Sequence, residues 1–286
     1  MINKKIGLLL SLIITSLLFI VSCDDDSSIP DMDFQYPLEI GSSWQYENNY
    51  TISYDSLAIS NGLMDSTFYS TGTVEIIDNI VIFDTLNVYD FEMNVDEYGN
   101  ICYGNEYYNV DSNLLISYGY NNPTIITPKV EQKFTFLKFK NRNFNNVNEI
   151  LEWIKNGSSG NKYNKDDDIT FDPVTSLSYP LEEDKQWVYR YETCDGEPWR
   201  IDKKIINWEE IEVLAGSFNC WRIRWYNNPF GAGTNWDEDI IQFDFIAEVG
   251  LVKRTLDILN IECYDEYNNF IGIMNWSQES TLSNYN

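Results

Sequence analysis

Carboxylates are the side chains in this sequence of 286 residues that are numerous enough to support acid–base or metal chemistry. They cluster at 166–168, 209–210 and 237–239. None of these clusters has the alternating oxygen ligands, the tight glycine turn and the closing acid of a calcium loop. A glycosidase needs two carboxylates across a cleft, and no pattern in the chain favours such a pair. We therefore predict no catalytic residues, no metal site and no cofactor, and we do not expect an enzyme.

Residue types that the chain lacks limit the remaining chemistry. Histidine is absent, which excludes a Ser–His or Cys–His pair, an imidazole base and a zinc site with histidine ligands. Lys and Arg number 19 against 45 Asp and Glu, so the formal net charge of −26 repels phosphate backbones. The composition, with 43% hydrophobic and 15% aromatic residues, is that of a globular protein. We therefore expect a folded domain that does not bind nucleic acid.

Four of the five cysteines lie in the body of the chain: Cys102, Cys194, Cys220 and Cys263. They form no C-x-x-C spacing, so a thioredoxin-like redox function is not expected. Four cysteines in an oxidising compartment allow three complete pairings. Strand alternation places Cys194 and Cys220 on faces that also carry charged residues, and we favour a disulfide between these two. Buried free thiols are the alternative.

Aromatic residues recur at every second position of several segments, which is the spacing of one face of a β-strand. Such a face could bind a lipid, a glycan or a peptide. The residues that we predict to line a binding surface are Trp44, Tyr46, Trp187, Tyr189, Trp221 and Trp225. The alternative is that these side chains form the hydrophobic core.

The N-terminus has the features of an export signal. Two lysines precede an apolar run at 6–21, which ends at Cys23 and is followed by three aspartates. A membrane-spanning helix needs about 20 apolar residues, so a secretory signal is favoured over a transmembrane helix. The segment Ile-Val-Ser-Cys at 20–23 resembles the lipobox of bacterial lipoproteins. That resemblance implies cleavage after residue 22 and attachment of a diacylglycerol to Cys23.

The lipobox divides the N-terminal region into two parts. Residues 1–22 are predicted to be a lipoprotein signal peptide, and residues 23–33 an acidic tether. Each buried methylene contributes about 0.8 kcal/mol, so several acyl chains make a stable membrane anchor. The acidic run after Cys23 resembles the signals that sort lipoproteins to the outer membrane or the cell surface. We expect a protein of the bacterial cell envelope that is lipid-anchored in the outer membrane.

The body of the chain contains an internal repeat. Tyr-Pro-Leu-Glu, followed by a tryptophan and a tyrosine, occurs at 36–46 and again at 179–189. A second pair of similar segments, 86–91 and 218–223, lies about eleven residues closer together. The first copy therefore contains an insertion, and its glycine and polar residues at 56–66 predict a loop.

The repeat predicts two related β halves at 34–127 and 179–276, followed by a tail at 277–286. Residues 128–178 are predicted to be a mobile connector with one short helix, which begins after an asparagine cap and ends at Gly157. The apolar face of that helix consists of Val147, Ile150, Leu151 and Ile154. Alternating strands and polar turns elsewhere predict an all-β, mainly antiparallel fold, a curved sheet or half-barrel.

Several segments together resemble a recurrent pattern of uncharacterised secreted or lipid-anchored bacterial β-proteins. The pattern opens with P-L-x-x-G-x-x-W-x-Y, which matches 37–46, and closes with A-G-x-F-x-C and G-L-V-K, which match 215–220 and 250–253. More distantly, such chains resemble the curved half-barrels of periplasmic lipoprotein carriers. The resemblance implies a fold and a location, and it transfers no catalytic residue.

The favoured function is a lipid-anchored, non-catalytic envelope protein whose sheet binds an apolar ligand, a glycan or a protein partner. The first alternative is a structural or scaffolding surface lipoprotein, and the second is a carboxylate-based hydrolase. An enclosed cavity would favour binding, an interior filled by its own side chains would favour scaffolding, and two buried carboxylates in a cleft would favour hydrolysis.

The substitution Cys23→Ala tests the predicted anchor. Cells fed labelled palmitate are expected to label the wild-type protein and not the variant, because the thioether requires the sulfur of Cys23. Cys220→Ala is the matched control and should keep the label. Equal labelling of wild type and Cys23→Ala would contradict the prediction.

Overall fold

Strand β1 (Ser43–Tyr54) shows how the alternating sequence builds the sheet. Its even-numbered residues from Trp44 to Ile52 are buried, whereas Gln45 and Glu47 between them are exposed. One face of the strand therefore packs inwards and the other meets solvent.

The computed structural model describes residues 34–97, 100–121, 134–156, 169–194, 197–228 and 237–286.

The described residues form strands and two helices. The strands after β1 are β2 (Ser66–Ile82), β3 (Leu86–Glu97), β4 (Asn100–Asp111), β5 (Leu114–Asn121), β6 (Phe136–Phe139), β7 (Arg142–Phe144), β8 (Thr170–Ser178), β9 (Gln186–Cys194), β10 (Glu197–Val213), β11 (Gly216–Asn228), β12 (Ile240–Ala247), β13 (Gly250–Tyr264) and β14 (Phe270–Tyr285). The helices are α1 (Ser56–Ser60) and α2 (Val147–Asn156).

One antiparallel sheet contains the long strands, in the order β8-β5-β4-β3-β2-β1-β14-β13-β12-β11-β10-β9. The first half of the chain supplies β1 to β5 and the second half supplies β9 to β14. The halves join where β1 pairs with β14 at the middle of the sheet. The predicted all-β, mainly antiparallel curved sheet of two related halves is therefore confirmed.

The two end strands of the sheet, β8 and β9, meet through side chains. Trp187 of β9 donates from Nε1 to the carbonyl oxygen of Thr175 in β8 at 3.0 Å. Arg190 of β9 forms a two-pronged ion pair with Asp172 of β8, at 3.0 Å and 2.6 Å. These contacts cover strand edges that would otherwise remain unpaired. The sheet is consequently a nearly closed barrel.

Helix α2 fills one end of this barrel. Its apolar face joins β6, β7 and the ends of the long strands in one buried cluster. Trp153 is 1% exposed, and its ring lies 5.0 Å from that of Trp199 and 5.8 Å from that of Phe144. The predicted helix is confirmed. The prediction of a mobile connector was wrong for its described part. This segment supplies helix α2, which plugs one end of the barrel, and the end strand β8.

A second helix, α1, occupies Ser56–Ser60 at the start of the region 56–66, for which we predicted only a loop. Asp55 accepts a hydrogen bond from the backbone N–H of Ala58 at 2.8 Å and thereby caps the single turn of α1. Ala58 is fully buried against β14. The sequence concealed this helix because one turn is too short to show a 3.6-residue period.

The predicted tail at 277–286 was also wrong. Residues 277–285 form the second half of β14, which pairs with β1 as far as Tyr285. The predicted signal peptide and acidic tether lie outside the described residues, which belong to a single unit at Phe34–Asn286. No helix among the described residues is long and apolar enough to cross a membrane.

The register of the sheet excludes the predicted disulfide. Cys194 lies opposite Glu197 of β10, whereas Cys220 lies opposite Glu209 of the same strand. Twelve residues of extended chain span about 40 Å, far beyond the reach of a disulfide. Cys220 is instead a buried free thiol, and its burial raises its pKa to about 12.

The sequence motifs at the two ends of the chain meet in the barrel wall. Trp44 donates a hydrogen bond from Nε1 to the carbonyl oxygen of Val249 across β14. Gly250 adopts a φ of +103°, and a Cβ there would lie 3.1 Å from the hydroxyl of Tyr36 and 3.2 Å from the indole nitrogen of Trp44. Glycine is required at this position because its φ is left-handed and because the neighbouring side chains leave little room for a Cβ.

Replacing Gly272 tests the packing of α1 on the sheet. Gly272 has a φ of +142°, and a Cβ there would overlap backbone atoms of Ala58. Gly41 also has a left-handed φ of +92° but has open space around it, so Gly41→Ala is the matched control. Gly272→Ala is expected to lower the free energy of unfolding by about 1–3 kcal/mol more than Gly41→Ala, measured by urea unfolding. Equal losses would contradict the packing.

Candidate functional site

A cavity of about 440 Å³ lies inside the barrel beside the α2 plug. Leu151 and Ile154 of α2 line its plug end, and strands of both halves form its walls. Its volume falls within the range of about 300–1,000 Å³ that is typical of small-molecule sites. The interior of the barrel is therefore filled at one end and hollow beside it.

The first half of the chain supplies a mainly apolar wall, formed by Val74, Phe91, Met93, Val95 and Leu115. The tyrosine hydroxyls on this side already have partners. Tyr46 donates to the carbonyl oxygen of Leu251 at 2.9 Å, and the hydroxyl of Tyr50 lies 3.4 Å from that of Ser70. This wall offers hydrophobic surface to a bound molecule.

The second half supplies a charged wall centred on Asp244 of β12. Arg254 of β13 donates to the two oxygens of Asp244 at 2.7 Å and 3.2 Å. Trp225 of β11 donates from Nε1 at 2.8 Å. The ammonium of Lys203 on β10 lies 3.8 Å from the same carboxylate. Four neighbouring strands thus bring these side chains together.

The ion pair at the centre of this wall stays ionised. Burial by itself would raise the pKa of Asp244, but the charges of Arg254 and Lys203 and the hydrogen bonds outweigh it and hold the pKa below its usual value. Burial would lower the pKa of Arg254, and Asp244 instead raises it. Asp244 is therefore a carboxylate whose lone pairs are in use.

Lys203 is a buried amine in the charged wall of the cavity. It is 4% exposed, and its ammonium donates to the carbonyl oxygen of Ser176 at 3.1 Å. The nitrogen lies 3.8 Å from the ring centroid of Trp225 and 4.7 Å from that of Tyr189. Burial lowers the pKa of Lys203 to about 7, although the nearby Asp244 opposes the shift. Lys203 therefore changes its charge near neutral pH.

Glu106 of β4 is a second carboxylate that lines the cavity. It accepts a hydrogen bond from the hydroxyl of Tyr108. Burial, followed by the charge of Glu106, raises the pKa of Tyr108 well above its ordinary value, and burial raises that of Tyr189 to about 12. Both tyrosines remain neutral hydroxyls at physiological pH.

Asn227 of β11 carries an unpaired amide. The residue is 1% exposed and lines the cavity. Neither its Oδ1 nor its Nδ2 has a hydrogen-bond partner among the described residues. Each unsatisfied buried group costs about 1–3 kcal/mol, and native proteins keep few of them. A bound molecule with both a donor and an acceptor would satisfy this side chain.

Three of the six aromatic residues predicted to contact a ligand line the cavity: Tyr46, Tyr189 and Trp225. The other three pack within the barrel wall. Trp44 stacks on Phe91 with ring centroids 6.2 Å apart, and Trp221 packs on Trp208 at 4.8 Å. Trp187 is half-buried at the seam between β8 and β9. Trp44, Trp187 and Trp221 therefore fit the alternative prediction, in which the aromatic side chains pack in the protein and do not contact a ligand.

The carboxylate clusters at 209–210 and 237–239 do not line the cavity. Lys140 forms an ion pair with Asp237 at 2.9 Å and a second one with Asp239. Burial would raise the pKa of Asp239, but hydrogen bonds from Lys140 and Asn260 outweigh it and lower the pKa. Residues 166–168 lie outside the described ranges. Within those ranges no group of three or more His, Cys, Asp or Glu is placed to hold a metal ion.

The residues of the charged wall were not predicted from the sequence, although their strands carried a signal. Lys203 lies between Ile201 and Ile205 in the two-residue period, which places a charge on the buried face of β10. Asp244 has the same relation to Ile246 in β12. A charged residue at an inward position must be paired or must face a polar cavity. The residue on another strand that pairs with each of these charges was not predictable from local spacing.

Comparison with known proteins gives distant structural similarity. No family model matches the sequence, and no curated protein matches it. A protein of Bacteroides fragilis, described as exported and with a YmcC-like fold, aligns over 88% of this chain and 99% of its own, at 9% identity and a TM-score of 0.40. A protein of Parabacteroides distasonis, described as a lipoprotein, aligns over 90% and 100%, at 14% identity and a TM-score of 0.35.

A third similar structure is a Vibrio parahaemolyticus domain described as an outer membrane lipoprotein-sorting protein. It aligns over 86% of this chain and 85% of its own, at 8% identity and a TM-score of 0.20. Because every TM-score lies below 0.5, the function of this chain has to be inferred from its own residues.

The substitution Lys203→Met tests the buried amine. Lysine in an unfolded chain titrates near pH 10.4, whereas the folded pKa is about 7. Between these values the unfolded chain binds more protons, so wild-type stability should rise with pH by up to about 1.4 kcal/mol per unit relative to the variant. Below pH 7 this difference should be constant, because Lys203 is protonated in both states.

Urea unfolding between pH 6 and pH 9.5 measures this dependence. Lys253→Met is the matched control, because Lys253 lies on the solvent side of β13 and pairs with Glu279 at 2.5 Å. That control should keep the wild-type slope. If the unfolding free energies of the wild type and of Lys203→Met change with pH in parallel across this range, the pKa of Lys203 is not lowered in the folded protein.

Proposed function

We propose that this chain is a lipid-anchored envelope protein that binds a small amphiphilic ligand in the barrel cavity without catalysing a reaction. The observation that supports this best is the mixed lining of the cavity. Apolar side chains such as Val74 and Met93 share about 440 Å³ with the ionic group around Asp244 and the amide of Asn227. Such a lining suits a molecule with an apolar body and a polar end.

The sequence supports the location of this binding protein. In this proposal Cys23 carries the lipid, residues 23–33 act as a tether, and the barrel begins at Phe34. The anchor holds the cavity near a membrane surface, where amphiphilic molecules are concentrated. The outer membrane is the proposed site because of the acidic run after Cys23.

The geometry of the carboxylates supports binding over hydrolysis. Glu106 and Asp244 line the same cavity, which is the arrangement that favours the hydrolase alternative. A glycosidase, however, needs one carboxyl group that can donate a proton and a second that is free to act. Asp244 keeps a low pKa and accepts hydrogen bonds from Arg254 and Trp225. It therefore acts as a structural counter-ion.

The scaffolding alternative would have an interior filled by its own side chains. The α2 plug fills one end in this way, but the charged wall and the unpaired amide of Asn227 lie in the hollow part. Buried charges are costly and stabilise a fold less than apolar packing does. Their retention beside a cavity fits a binding role better than a scaffold.

Filling the cavity tests the proposed function. Gly72 of β2 lines the cavity, and a Cβ there would lie 3.5 Å from Asn48 and Val95, an ordinary contact. Gly72→Phe therefore adds a ring to the space without displacing backbone. We expect the full chain in phosphatidylcholine nanodiscs to enhance N-phenylnaphthylamine fluorescence above empty nanodiscs, and Gly72→Phe to bind this probe at least about ten-fold more weakly, a loss of 1.4 kcal/mol.

Thr71→Phe is the matched control, because Thr71 is the preceding residue of β2 and is exposed on the outer face. It should bind the probe like the wild type. Circular dichroism should show the same strand content for all three proteins. An unchanged probe affinity in a folded Gly72→Phe variant would refute binding in the cavity.

A further inference from the structure

Arg254 has donors that the protein does not use. A guanidinium carries five N–H groups, and Asp244 receives one from Nε and one from Nη2. No other acceptor for this side chain occurs among the described residues. The side chain lines the cavity, and 40% of its surface is accessible. Asp244 holds the guanidinium in position and leaves its outer N–H groups directed to a guest.

The two carboxylates that line the cavity already accept hydrogen bonds. Asp244 accepts from Arg254 and from the indole of Trp225, and Glu106 accepts from Tyr108. A cationic ligand would have to compete with these donors for the carboxylates. An anionic ligand can accept hydrogen bonds from the planar guanidinium of Arg254, whose N–H groups match the geometry of a carboxylate.

Asn227 supplies a second polar contact at a different level of the cavity. It follows Trp225 by two residues on β11, so the two side chains point inwards about 7 Å apart along the strand. Its partner across the ladder is Ile201 of β10, which belongs to the plug cluster. The unpaired amide can donate and accept at once. It therefore suits a hydroxyl or amide group of the ligand.

We infer that the ligand is a small organic carboxylate whose acid group is bound by Arg254 and whose second polar group, a hydroxyl or an amide, is bound by Asn227. The apolar wall of the first half covers the body between these groups. This inference rests on the proposed function and names the chemical class of its ligand. It assigns Arg254 and Asn227 as specificity-determining residues.

Proton uptake accompanies such binding. The groups that face Lys203 are Asp244 and Arg254, which stay ionised, Tyr189, which stays neutral, and Glu106 across the cavity. A carboxylate that enters this space stabilises the ammonium form of Lys203 and raises its pKa. At pH 7.5 the binding of an anion therefore takes up protons, whereas a cation or a neutral ligand adds no negative charge beside Lys203 and gives no uptake.

Three probes with one body and different charges test the inference: 4-phenylbutanoate, 4-phenylbutanol and 4-phenylbutylamine. Each is titrated calorimetrically into the wild-type full chain in phosphatidylcholine nanodiscs at pH 7.5, in two buffers of different ionisation enthalpy. We expect the carboxylate to bind at least about ten-fold more tightly than the alcohol and the amine. The buffer dependence should give net proton uptake for the carboxylate alone.

Two variants locate the contacts. Arg254→Lys keeps the charge beside Asp244 and loses the fork, so the preference for the carboxylate over the alcohol should shrink. Asn227→Leu removes an unpaired amide, so it should fold normally and should lose the extra affinity that a para-hydroxyl group on 4-phenylbutanoate gives in the wild type. Arg224→Gln, on the outer face of β11, is the control and should change neither result.

The outcomes separate this inference from the proposed function. If the alcohol or the amine binds as tightly as the carboxylate, or if protons are released, the ligand is not an anion and the inference fails. If none of the three probes binds but N-phenylnaphthylamine does, the inference also fails and the cavity function stands. If no probe binds at all, both fail. The series on the wild type decides this without depending on the folding of any variant.

Discussion

The pairing of the first strand with the last is the interaction on which the rest of this structure depends. β1 and β14 are antiparallel partners from Trp44 to Tyr54, and they join the two halves into one sheet. Each half alone would leave long unpaired edges, which are open to wrong pairing. Once the halves are joined, the sheet curls until β8 and β9 meet through Arg190 and Asp172. That closure turns one face of every strand into an interior.

The interior then divides into a filled part and a hollow part for a physical reason. At one end the connector supplies α2, and Trp153 packs with Trp199 in a dry cluster. Beside it the inward positions carry Lys203, Asp244 and Arg254, which must keep hydrogen-bond partners and tolerate no apolar filling. The mutual pairing of these charges holds the wall in place, and the space in front of them stays open.

Both halves present apolar and polar side chains to this space. Val74 and Met93 of the first half and Leu256 of the second are apolar, whereas the ion pair of Asp244 and Arg254 lies on strands of the second half. The carboxylate of Asp244 is committed to Arg254 and Trp225, whereas Arg254 keeps N–H groups that have no acceptor among the described residues. Free donors beside an apolar surface suit the binding of a ligand that carries an acceptor.

The sequence by itself determined the local features of this protein. Period-two alternation gave the strands, the apolar face from Val147 to Ile154 gave α2, and the repeat gave the two halves, because each depends on neighbours along the chain. Only the tertiary structure decided that the supposed tail is a central strand, that Cys194 and Cys220 lie far apart, and that Trp225 faces the cavity while Trp44 packs in the wall. Strand order, register and closure come from contacts between distant segments, and the alternating pattern is compatible with many pairings.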